Sequence, residues 1–173
     1  MCLKLICDEA MLKFPPKLAA DKKTVLETYC NFGADFIGHA LGYNGFRNPN
    51  TGLPLIADEI CSVLMRDWIA IDGEQAFRLT NSNVWCMSAM SSLEIREAAK
   101  RLNKPKLIDA THGHIDAVYP AEKMLDSGSW GKPVPILANI GTENKPKKAS
   151  ECFPAEPKYY FRPVAHSIQG ETK

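Results

Sequence analysis

The sequence predicts an α+β fold in which helices lead and an antiparallel sheet follows. Three observations carry that expectation. Apolar residues recur at helical spacing through the first hundred positions, the character changes after Pro105, and the later apolar runs are short, β-prone and separated by Gly and Pro. With 173 residues, 45% of them hydrophobic and 24% charged, the chain has the composition of one ordinary globular domain. A chain this long buries roughly 70% of the surface its unfolded form exposes, so its core needs neither metal nor disulfides.

Residues 1–23 carry Lys, Pro15-Pro16 and only a weak helical pattern, and read as a lead-in packed loosely on a domain spanning 24–173. Phe32, Phe36, Ile37, Ala40 and Leu41 then mark a helix, with Thr28 as N-cap and Gly42 as the terminating glycine. After a loop rich in Asn, Gly and Pro, the residues Ile56, Ile60, Val63 and Leu64 mark a second helical face, whose first turn holds Asp58 and Glu59 where the helix dipole favours anions. Ile69-Ala70-Ile71 is a short apolar run, Gly73–Thr80 a brief helix, and Val84–Met87 a buried strand. Ser91-Ser92-Leu93-Glu94 resembles a capping box that opens a helix continuing through Asn103. Strands are then expected at Leu107-Ile108, His114–Tyr119, Val134–Ile140 and Tyr159–Val164. Lys145–Lys148 reads as a solvated loop, and the three tryptophans as packing residues.

Charge excludes some functions. Twenty-one basic residues against 20 acidic ones, with no basic run longer than Lys147-Lys148, give no phosphate-neutralising surface, so nucleic acid is not an expected partner. No stretch approaches the 18 apolar residues of a membrane span, and the opening residues reach Asp8 before a signal-peptide core forms, so synthesis in the cytoplasm is expected.

Six cysteines lie scattered without a CxxC pair, which gives neither a zinc cluster nor a disulfide framework. Most read as small core residues. Cys30 differs because it falls at the start of a helix, where free N–H groups and the positive dipole end favour a thiolate. A thiolate nucleophile needs a base. Of the four histidines, His39 and His166 read as solvated, whereas His114 follows Gly113 and opens an apolar strand. An imidazole base in turn needs an orienting group, and Asn139 is the one amide in the otherwise apolar strand Val134–Ile140.

Taken in order, Thr28-Tyr29-Cys30-Asn31-Phe32, Ala57-Asp58-Glu59-Ile60, Gly113-His114-Ile115 with Val118-Tyr119-Pro120, Pro135 to Gly141, and Tyr159-Tyr160-Phe161-Arg162 resemble the landmarks of CHAP and NlpC-type cysteine peptidases and amidases. The resemblance implies a minimal papain-like core, in which a Cys-bearing helix packs on an antiparallel sheet. It implies Cys30 as nucleophile, His114 as base and Asn139 as orienting residue, with no cofactor; Asp116, His112 and Asn31 are the candidates for supporting positions around them. The implied activity is hydrolysis of peptidoglycan amides through a thioester. A phage lysin or a contact-delivered antibacterial toxin fits, reaching the cell wall after lysis or by non-classical export, the toxin with an immunity protein as partner. Two departures stand out: a charged helix lies between the Trp85 strand and the histidine strand, and Asp116 occupies a position where the family usually has a small apolar residue.

Two alternatives are set against this reading. Thr111-His112-Gly113-His114-Ile115-Asp116 matches much of the zinc motif of metallo-β-lactamases, although Ala117 replaces its last histidine. The other alternative is an inactive papain-like domain that only binds cell-wall material or a partner.

Overall fold

The computed structural model describes residues 2–18, 20, 25–27, 29–141 and 143–163. Thr28, Val164 and His166 lie outside these, so the expected Thr28 cap and the solvated His166 are not described. In chain order the elements are α1 (Leu3–Lys13), β1 (Lys17–Leu18), β2 (Val25–Glu27), α2 (Cys30–Ala40), α3 (Ala57–Asp67), β3 (Ile69–Ile71), α4 (Gly73–Asn81), β4 (Cys86–Met90), α5 (Ser92–Arg101), β5 (His114–Val118), β6 (Leu125–Ser127), β7 (Lys132–Val134), β8 (Ile136–Asn139), β9 (Lys145–Lys148), α6 (Ala149–Cys152) and β10 (Lys158–Phe161). The fold is α+β, as the helix and strand periodicities imply. Six strands form one sheet in the order β3-β10-β4-β5-β8-β9, every neighbouring pair antiparallel.

The sheet is covered on both faces, and strand alternation sorts its side chains between them. Met87, Ala89, Ile115, Ala117 and Ala138 share one core with residues of α1, α2 and α3. Cys86, Val118, Leu137 and Tyr159 share the other with Ala76 of α4, Ile95 of α5 and Ala149 of α6. Burial on both faces explains why β4 and β8 are buried along their whole length.

Helix α2 ends as Gly42 foretells. Gly42 takes a φ of +74°, its N–H donates to the His39 carbonyl and that of Tyr43 to the Gly38 carbonyl, which closes the last turn in a Schellman motif. The capping box of α5 is likewise present: Ser91 Oγ accepts from Glu94 N–H, and Glu94 Oε2 accepts from Ser91 N–H at 2.8 Å.

Three expectations are corrected. The lead-in is not loose, because α1 buries Leu3, Ile6, Cys7, Ala10 and Met11 in the first core, and Asn144 donates to the Met11 and Phe14 carbonyls at its end. Leu107 closes a 3₁₀ turn (Pro105–Leu107) rather than opening a strand. Lys145–Lys148 forms the edge strand β9, where lysines and a proline suit an edge exposed to water, and Glu143 pairs with both Lys145 and Lys147. Among the tryptophans, Trp68 and Trp85 pack edge to face at 4.7 Å in a cluster with Tyr43 and Phe46, and Trp130 is partly buried against the second core. Among the described residues no helix is long and apolar enough to cross a membrane.

Candidate active site

Cys30 is the first residue of α2 and is buried. Tyr29 gives the helix no side-chain cap, and the earliest intrahelical bond runs from Gly33 N–H to the Tyr29 carbonyl at 2.9 Å. The N–H groups ahead of Gly33 therefore have no acceptor within the helix. α2 packs against β5, whose first residue is His114, and thiol and imidazole meet where the two elements begin.

His114 Nε2 lies 3.0 Å from Asp116 Oδ2. That contact has ion-pair length but not the alignment of a hydrogen bond, since Oδ2 has no hydrogen-bond partner, whereas Oδ1 accepts from the Ile140 N–H at 3.2 Å. Burial lowers the proton affinity of the imidazole, yet the Asp116 carboxylate and the Cys30 side chain outweigh it and hold His114 well above its usual value of 6.5. The carboxylate and the thiol on either side of the ring thus favour its charged form.

Asp116, rather than the expected Asn139, is the side chain at ion-pair distance from the imidazole. The β5–β8 ladder pairs Ala117 with Ala138, so the same register puts Asp116 opposite Asn139. Asn139 is buried close to His114, since a Cβ on Gly141 would sit 3.3 Å from its Oδ1 and 3.7 Å from His114 Cε1, but its amide donates to the Glu143 carbonyl. His114 and Asp116 share the face that looks toward α6: the His114 ring is 5.1 Å from that of Phe153, and burial together with the Asp116 carboxylate pushes the Cys152 thiol up.

The other supporting residues separate. Asn31 Nδ2 donates to the Leu55 carbonyl at 3.0 Å, which ties the turn holding Cys30 to the approach of α3. His112 is exposed. The set His112, His114 and Asp116 does not converge as metal ligands, and among the described residues no group of three or more His, Cys, Asp or Glu side chains does so. The remaining cysteines are free, and burial pushes the thiols of Cys7 and Cys61 up to about 12 and that of Cys86 to about 11, so they are poor nucleophiles.

Asp58 is a site residue that sequence reasoning missed. Its Oδ1 accepts from Ser92 N–H at 2.7 Å and its Oδ2 from Gly113 N–H at 3.0 Å, immediately ahead of His114. An acidic residue in a first helical turn is already explained by the helix dipole, so nothing local signals that distant amides claim it.

A cavity of about 430 Å³ opens beside His114, lined by Asn139 and Gly141 from the sheet, Ile95 and Leu107 opposite, and Lys104 and Lys147. The larger cavity, about 830 Å³ between α4 and β7, includes neither Cys30 nor His114. No family model and no curated protein sequence matches the chain.

Proposed function

We propose that the protein is a cysteine-dependent amide hydrolase of the papain-like kind, acting on peptidoglycan peptides as its resemblance to CHAP and NlpC-type enzymes implies. The observation that carries the chemistry is the meeting of Cys30, at a helix N-terminus, with an imidazole whose proton affinity Asp116 raises. In acylation Cys30 reacts as the thiolate, its proton carried by His114; the sulfur attacks the amide carbon, and the N–H groups at the start of α2 receive the developing oxyanion. Collapse breaks the C–N bond as His114 gives its proton to the leaving amine. A water then attacks the thioester, His114 takes its proton, and the Cys30 sulfur leaves with the bonding electrons. Asp116 keeps the imidazole oriented and compensates its charge throughout. The cavity beside His114 is the natural berth for the acyl or amine portion of the substrate.

The test is digestion of purified peptidoglycan followed by mass spectrometry of the new ends. Wild type should release peptide fragments ending at one bond type, and Cys30→Ala should release none while remaining folded, since alanine suits a helix. Turnover retained by Cys30→Ala would overturn the mechanism, and a wild-type protein that binds the sacculus without cutting it would favour the inactive binder. If the enzyme is a delivered toxin, a cognate immunity protein would cover the cavity beside His114.

A further inference from the structure

We propose that the first turn of α3 is a bracket that sets the separation of Cys30 and His114, with Asp58 as its positioning residue. The inference rests on the reading of those two residues as nucleophile and base. Two bonds from neighbouring residues reach the two sides of the site. The Leu55 carbonyl, just ahead of the helix, accepts from Asn31, the residue after Cys30. The Asp58 carboxylate, in the first turn, accepts from Gly113, the residue before His114. Four residues of chain therefore hold both catalytic elements, α2 and β5, to a common rigid body.

At Gly113 the bracket has a stop as well as a pull. A Cβ there would stand 2.8 Å from the Met90 carbonyl oxygen and 3.2 Å from Ser91 Cα, both backbone atoms that cannot swing away. Glycine lets the entry of β5 seat against the end of β4, and the Asp58 bond keeps it seated. The bond is made by a carboxylate to a main-chain amide, a charge-assisted contact stronger than a neutral one. Its second bond, to Ser92 N–H, fixes the carboxylate at the start of α5. Reacting groups tolerate little misplacement: a shift of about 1 Å can cost on the order of a hundredfold in rate.

The experiment reads the rate of Cys30 alkylation by iodoacetamide as a function of pH, resolved by peptide mass spectrometry, beside kcat and KM for peptidoglycan fragments. The groups that face the imidazole are the Cys30 thiol from α2 and Asp116 on its own strand, with Cys152 of α6 against that carboxylate. Asp58→Asn keeps the shape but turns an amide NH₂ toward one of two donors. It is expected to slow alkylation about tenfold across the pH profile and to lower kcat with little change in KM. Ser92→Pro removes the other N–H at a helix position that tolerates proline, and should leave the profile in place. A folded Asp58→Asn with the wild-type profile overturns the proposal, as does an equal slowing in Ser92→Pro, which would show that Asp58 acts through α5. If Asp58→Asn does not fold, Asn31→Ala decides, because it loosens the other end of the bracket and leaves the carboxylate in place; a wild-type profile there also overturns it. His114→Ala separates the two levels: if it leaves Cys30 alkylation unchanged, the pairing of nucleophile and base is itself wrong.

Discussion

Asp116 and Asn139 present two polar groups to one histidine, and their partners distinguish their roles. The amide of Asn139 is engaged by the Glu143 carbonyl, whereas Asp116 Oδ2 stands 3.0 Å from the imidazole. Asp116→Asn should therefore lower turnover more than Asn139→Ala does, by roughly tenfold or more against a few-fold, in parallel assays of peptidoglycan cleavage. The same substitution has a pH signature. The native proton affinity of His114 is raised, so its contribution to stability is fully present below about pH 6.5 and is lost as pH rises through the native value. The stability gap between wild type and Asp116→Asn, measured by urea unfolding, should be roughly 1–3 kcal/mol at pH 6 and should shrink as pH increases. A gap that widens with pH would mean that the imidazole is neutral in the folded protein. At this scale Cys30 and His114 were legible because each sits at the beginning of an element, one on a helix and one on a strand. Asp116 was visible as a departure from the family pattern, but which of two polar neighbours orients the histidine depends on where Glu143 places its carbonyl, and no local pattern encodes that.

Elements were legible where one residue type has one physical use. Gly42 ends α2 and Ser91 opens α5 as their chemistry requires. Replacing Ser91 with Ala should cost about 1 kcal/mol, read as a small drop in Tm. Elements failed to show where tertiary contacts override composition. β9 is a strand only because β8 lies beside it, and Pro146 among three lysines reads as a loop in isolation. The Gly42–Pro54 loop has a similar hidden anchor: Arg47 grips the buried Asp35 of α2 through two bonds of 2.8 Å. Arg47→Ala leaves that carboxylate buried without its cation, so thermal unfolding should shift clearly downward, and Asp35→Asn in the same background should recover part of the loss.

For the whole molecule, the α+β class followed from the switch between periods of 3.6 and 2, but the strand order did not. Short apolar runs of similar character carry no label for their neighbours, and α1 looked peripheral because its pattern is weak although five of its residues are buried. Deleting residues 2–14 removes that layer from the first core and uncovers α2 and β8, so the shortened chain should be insoluble or molten, with near-UV circular dichroism lost. Retention of a cooperative unfolding transition would show that the lead-in is dispensable after all.

The position of β10 has a consequence in time. It is the last of the described strands, yet it lies between β3 and β4, inside the sheet. During synthesis, β4 must wait for roughly 70 more residues before its missing neighbour leaves the ribosome, an interval of about 3–14 s at ~5–20 residues per second. From residue 116 onward the nascent chain contains its thiol, imidazole and carboxylate, but until β10 emerges the sheet meant to align them has an open seam. Nascent chains arrested before Lys158 should accordingly alkylate at Cys30 as slowly as an unfolded peptide, and those released beyond Phe161 at the native rate, so that translation itself delays the appearance of activity until the seam is closed.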